Sequence, residues 1–248
     1  MTSAETPPET PPIEEDAVIA GKDQTADAFF PRDRKSISPF RPSHLINIFL
    51  NTREFFSPDA ALGNQGYLTI ACWLVGISIA ITRLEQQLVK AELGRSGLNL
   101  NIFELLLTWP VFWPLVLALG LVAGWLLWFI GGWWFRLRLK FSGAPDPDPR
   151  MSRLVMVYAG LVSSLPHIAF VMWWTLLYEN YLAAYAQDLV LTIVLFSLSF
   201  WELFSAYRGV RTLFSVDKWR ARLWFIILPA LLYLMTFGLV AVLFALSG

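Results

Sequence analysis

The sequence predicts an all-α polytopic membrane protein, with five transmembrane helices behind an N-terminal amphipathic interfacial helix and a disordered cytoplasmic tail. Three observations carry that expectation. Of the 248 residues, 56% are apolar and only 15% are charged, against about 25% charged in ordinary soluble domains. Several stretches longer than the roughly 20 residues needed to cross a bilayer contain no charged side chain. The lysines and arginines that remain gather in alternate connecting segments, as expected of loops sorted to the cytoplasmic side.

Residues 1–42 differ in kind from the rest. Pro7, Pro8, Pro11 and Pro12 stand among acids, and a basic stretch follows at Arg32, Arg34, Lys35 and Arg41. Such a composition cannot bury enough apolar surface to offset its ordering entropy, so a disordered tail is expected. An export signal opens with basic residues and an apolar run, whereas this segment opens with Glu5, Glu9, Glu14, Glu15 and Asp16. Over residues 43–58, Leu45, Ile46, Phe49, Leu50 and Phe56 recur at helical spacing against Asn47, Asn51, Thr52 and Glu54, with Ser43 as N-cap. This helix is too short to span. It is expected either to lie in the headgroup layer or to pack on the protein's own cytoplasmic surface.

The spans lie between charged residues, at about 60–82, 105–132, 154–178, 189–207 and 223–247, within a membrane domain of residues 60–248. The second charge-free run reaches about 46 Å as a helix, so part of it must tilt or emerge. Trp109 and Trp113 sit near one end of it and Trp125, Trp128, Trp133 and Trp134 near the other, as aromatic belts do. Pro110, Pro114, Pro166 and Pro229 fall inside spans, where each removes a backbone donor and is expected to kink its helix. The fourth span is the weakest, being short and carrying Glu202. Charge supports it: with five helices, sixteen Lys and Arg residues fall on one side and three on the other. That places the N-terminus in the cytoplasm and the C-terminus outside.

The inventory of reactive groups is thin. The sequence holds two histidines and one cysteine, which excludes an intrachain disulfide framework and a Cys-x-x-Cys site, and it lacks zinc-protease, nucleophile-elbow and phosphate-loop motifs. No catalytic, cofactor-binding or metal-binding residues are expected, and the balanced charge gives no footprint for nucleic acid. Ionisable groups within spans are functional-site hypotheses by default. His167 and Glu202 therefore head a candidate polar site with Tyr158, Ser163 and Ser164. Counted from the cytoplasmic ends, His167 lies about 20 Å deep and Glu202 about 8 Å deep. They are not expected to pair, and Tyr158 is the expected partner of Glu202. A structural hydrogen-bonding role is the alternative for both groups. Gly120 with Gly124, and Gly160 with Ser164, have the small-x-x-x-small spacing that lets helices approach closely, here expected within the bundle.

Three segments carry a resemblance to a family. Leu45 to Phe56, ending Asn51-Thr52-Arg53-Glu54-Phe55-Phe56, resembles the short helix before the first span of bacterial Yip-domain proteins. Gly131-Gly132-Trp133-Trp134 through Phe141-Ser142-Gly143, then Tyr158-Ala159-Gly160-Leu161-Val162-Ser163-Ser164-Leu165-Pro166, is similar to that family's loop and third span. Tyr207-Arg208-Gly209-Val210-Arg211, within Trp201 to Arg211, looks like the end of its fourth span. The resemblance covers residues 43–248 and implies the five-span fold. Eukaryotic Yip members interact with Rab-type GTPases. Leu107-Thr108-Trp109-Pro110-Val111-Phe112-Trp113 is similar to their Asp-Leu-Tyr-Gly-Pro-Phe-Trp segment but lacks the aspartate, which points to a bacterial relative in the cytoplasmic membrane. The family offers no catalytic residues to carry over.

The leading expectation is a non-enzymatic subunit, scaffold or assembly factor of a membrane complex. Its partners would be membrane lipids and other membrane proteins, met through the tail and a surface formed by Arg208, Arg211, Lys218, Arg220 and Arg222. A small-solute or lipid transporter, or an accessory subunit of one, is the alternative, with Glu202 or His167 on the path. Membrane shaping by the interfacial helix is the third.

Overall fold

The computed structural model describes residues 43–92, 107–185 and 189–247. The tail of residues 1–42 and the first two residues of the expected second span lie outside these. The described chain is helical: α1 (Ser43–Leu50), α2 (Thr52–Phe55), α3 (Pro58–Asn64), α4 (Leu68–Glu92), α5 (Trp109–Leu126), α6 (Gly132–Phe141), α7 (Pro149–Leu177), α8 (Tyr181–Tyr185), α9 (Leu189–Leu213), α10 (Lys218–Arg222) and α11 (Leu228–Ser247). Wide π-helical turns, Leu127–Gly131 and Leu223–Ile227, join α5 to α6 and α10 to α11 into continuous rods. Four stretches are long and apolar enough to cross a membrane: Pro58–Gln87, Trp109–Phe141, Pro149–Leu177 and Lys218–Thr236. Their outer faces carry exposed Trp125, Ile130, Trp133, Met172, Trp173, Leu176 and Leu231. Soluble monomers do not display so continuous an apolar exterior, and the chain is an integral membrane protein.

The rods begin where the sequence supplies caps. Asp148 accepts hydrogen bonds from the amides of Arg150 and Met151 at 2.5 and 3.1 Å, and Pro149 opens α7, satisfying amides that have no partner within the helix. Asp217 does the same for α10. Pro110 falls in the first turn of α5 behind extended Thr108, where its missing amide costs nothing. The expectation of an internal kink there is corrected. Pro114 and Pro166 do lie inside helices. Gly143, at φ +97°, ends α6, and the amides of Gly143 and Ala144 reach back to Lys140 and Leu139. That is a left-handed helix stop, which suits glycine.

Small residues set the central contact. Gly76 of α4 lies against Gly120 and Gly124 of α5 so closely that a Cβ on Gly76 would stand 2.1 Å from the Gly120 carbonyl oxygen. Cys72 Sγ donates to the Gly124 carbonyl at 3.2 Å from the same seam. α7 packs on the other side of α4 and also carries α9.

The turns sort by end. The Asp217 amide donates to the Ser142 carbonyl at 2.9 Å, so the turns after α6 and after α9 meet. Phe56 packs against Gly209 at the same end. At the other end the Tyr181 amide donates to the Leu107 carbonyl, and the Trp109 indole N–H donates to the Tyr178 carbonyl at 2.7 Å.

The N-terminal segment departs from one continuous amphipathic helix. It breaks at Asn51, and the break changes which faces turn inward. Thr52, expected on the polar face, is buried, with its hydroxyl donating to the Ile48 carbonyl at 3.0 Å. Ile48 and Phe56 have no exposed surface, Leu45 and Phe49 are half-buried, and Ile46 and Leu50 remain exposed at 56% and 78%. The segment thus packs on the protein and also leaves an apolar edge outward.

Candidate functional site

Glu202 lies in the middle of α9, a helix longer than the expected fourth span. α9 does not stop at Tyr207 but runs to Leu213, so Glu202 stands 13 residues from one end of its helix and 11 from the other. Charged Arg208 and Arg211 do not terminate a helix, because arginine is a good helix former. Ser163, near the middle of α7, donates its hydroxyl to Glu202 Oε2 at 2.5 Å. The expected partner, Tyr158, points elsewhere: its hydroxyl donates to the Asn64 carbonyl at 2.8 Å. Tyr158 is five residues, about one and a half turns, before Ser163 on α7, and its hydroxyl is spent on Asn64 rather than on Glu202.

Beside the carboxylate lies a cavity of about 350 Å³ between the α4, α7 and α9 helices and the first π turn. Ser78, Thr82, Arg83, Gln86, Ser163, Ser164 and Glu202 form its polar wall, while Val75, Ile79, Leu127 and Met156 form the apolar one. Gly160 is also on its wall, where a Cβ would make ordinary contacts, 4.0 Å from Glu202 Oε1 and 3.4 Å from Val75. A carboxylate with one hydroxyl donor, in a cavity with further hydroxyls, an amide and the Arg83 guanidinium, can hold a proton, a cation or the donor end of a polar solute.

His167 belongs to a second cluster. Its Nδ1 is 2.9 Å from the Ser78 hydroxyl. Its Nε2 is 3.4 Å from Glu85 Oε1, which also accepts the Tyr181 hydroxyl at 2.5 Å. Ser78 is the one residue shared by this cluster and the cavity wall. Ser78, Glu85 and Tyr181 were missing from the sequence-derived site. Ser78 and Glu85 are seven residues apart, hence on one face of α4, and that spacing is the signal that could have found them.

The basic candidates Arg208, Arg211, Lys218, Arg220 and Arg222 are all exposed. Arg222 Nε donates to the Tyr207 hydroxyl at 3.3 Å. Arg138 is drawn inward, donating to the Trp224 carbonyl and lying 4.3 Å over the Phe225 ring. Two of the three segments that carry the family resemblance meet, Phe56 against Gly209, while Gly131 lies against Met156, Gly132 against Arg153 and Gly209 also against Val155. No family model matches the chain, and neither does any curated protein or solved structure.

Proposed function

We propose that the chain is a non-enzymatic five-span membrane protein that holds and passes a small polar or cationic solute at Glu202, alone or as the accessory subunit of a transporter. The observation that carries this reading is a carboxylate at mid-helix, with one hydrogen-bond partner among the described residues, beside a polar cavity. Placing a carboxylate within a span is costly, and the cost is met where the group faces a cavity or path. α9 is the fifth span in this reading. Its Glu202 faces the cavity while Ile193, Trp201 and Phe204 face outward.

The reading is tested by solute and proton flux in proteoliposomes of the full chain, comparing Glu202→Gln with the wild type. Loss of flux supports it, and unchanged flux across cations, amines and protons defeats it. Five spans with the N-terminus in the cytoplasm require the turn before α10 to be cytoplasmic. With Cys72→Ser as background, Ser215→Cys is then labelled by an impermeant thiol reagent in inside-out vesicles and protected in right-side-out ones.

A second reading, the scaffold or assembly factor of Yip type, rests on a different observation. The bond from Asp217 to Ser142, the Arg138 contact with Trp224 and the seat of Phe56 on Gly209 knit three basic segments into one face. Such a face suits acidic partners. Isolation of the native protein in mild detergent tests this, with mass spectrometry for stoichiometric companions. A protein that comes out alone, and that loses nothing when residues 1–42 are removed, ends the scaffold reading.

A further inference from the structure

At the end of the molecule where α2 meets α9, a second cavity of about 570 Å³ is lined by Arg53, Tyr207, Arg208, Arg211 and Thr212. Among the described residues no carboxylate pairs with these three guanidinium groups. Two nearby acids have other partners: Glu54 accepts from the Asn51 side-chain amide at 2.6 Å, and Asp217 caps α10. Thr212 donates to the Arg208 carbonyl and Arg222 to the Tyr207 hydroxyl. Arg211 also lies beside the Tyr207 hydroxyl, and with Arg53 and Arg208 it lines the hollow without a carboxylate; three cations around one hollow select an anion.

The surroundings say which kind of anion. Trp201, Phe204, Arg208 and Arg211 are spaced three, four and three residues apart, one face of α9. The two aromatics are exposed and the two arginines follow them toward the helix end. That face changes from apolar to basic as a bilayer changes from acyl chain to headgroup. Just before Arg53, Leu50 and Ile46 also leave apolar surface uncovered. We propose that this cavity binds the phosphate of an anionic phospholipid headgroup, with the acyl chains running along Phe204 and Trp201. The site is separate from the Glu202 cavity and stands or falls independently of the solute reading.

The test is native mass spectrometry of the full chain in mild detergent, titrated with phosphatidylglycerol against phosphatidylcholine. Phosphatidylglycerol is expected to be retained in preference. At about fivefold per arginine, the triple variant Arg53→Gln, Arg208→Gln and Arg211→Gln loses roughly a hundredfold in apparent affinity. Should the triple variant melt at a lower temperature than the wild type, Arg211→Gln alone carries the test with a loss of about fivefold. The double variant Lys218→Gln and Arg220→Gln removes charge outside the cavity and is expected to retain the lipid like the wild type. Equal loss in that control overturns the site in favour of diffuse surface charge, and unchanged retention in the triple variant overturns it outright. Displacement of the lipid by inorganic phosphate at equal concentration makes it a free-anion site instead.

Discussion

The two polar clusters of the bundle share Ser78 yet differ in kind. Around His167, the serine meets Nδ1, and the acid takes the tyrosine hydroxyl and lies 3.4 Å from Nε2, which makes no hydrogen bond among the described residues; His167 is 5% exposed. Around Glu202, one hydroxyl meets the carboxylate among the described residues, and a cavity lies beside it. A packed cluster spends most of its polar groups on each other and holds helices together. An open one keeps capacity for something else. The comparison separates a polar group that fixes the fold from one that is available for function, a distinction that counting ionisable residues along a span cannot make.

The largest effect comes from breaking the frame that carries both clusters. Gly76 lies between Val75 and Ser78, which line the cavity, and against Gly120 and Gly124. Gly76→Val must push α5 away from α4, an overpacking cost of about 3 kcal/mol or more. Thermal melting in detergent should show a large drop, together with loss of flux. A variant that melts like the wild type would mean that the two helices can part at no cost.

The next two substitutions divide the clusters. His167→Leu leaves Ser78 and Glu85 without their imidazole, costing about 2 kcal/mol over two contacts. It should lower the melting temperature while leaving the flux of surviving protein intact. Glu202→Gln keeps shape and a hydrogen-bonding group, so its stability should change by about 1 kcal/mol or less, while flux is lost. The opposite pattern, a stable His167→Leu without flux and an unstable Glu202→Gln, would exchange the two assignments.

Much of this frame is legible in the residues. The charge-free runs locate the four apolar rods, the acids before α7 and α10 supply their caps, and the Gly-x-x-x-Gly pair marks the central seam. Its partner, Gly76, is also readable, because Cys72, Gly76 and Ala80 form a row of small residues at four-residue spacing. The site was harder to read for one physical reason. A charged residue was taken as the edge of a span, but a helix ends where its backbone loses hydrogen bonds and not where a charge appears. Cutting the first span at Thr82 hid Glu85 in a loop, although α4 runs on to Glu92. Only packing reveals that Tyr158 turns to Asn64, since one residue of α7 has several neighbours within hydroxyl reach.

The finest test of the comparison uses two serines, each with a single hydroxyl proton. Ser163→Ala removes the donor that holds Glu202, and with it the carboxylate's orientation toward the cavity. One such intramembrane contact is worth about 1 kcal/mol, so stability should fall only slightly while flux drops about fivefold. Ser163→Thr keeps the hydroxyl and should restore flux. Ser78→Ala removes a longer contact, 2.9 Å, from the His167 cluster, where the imidazole still lies 3.4 Å from Glu85. A comparable loss of stability with unchanged flux is expected there. If both alanine variants reduce flux equally, Ser78 joins the clusters into one path through the membrane, and the packed cluster is then the second half of the route rather than its support.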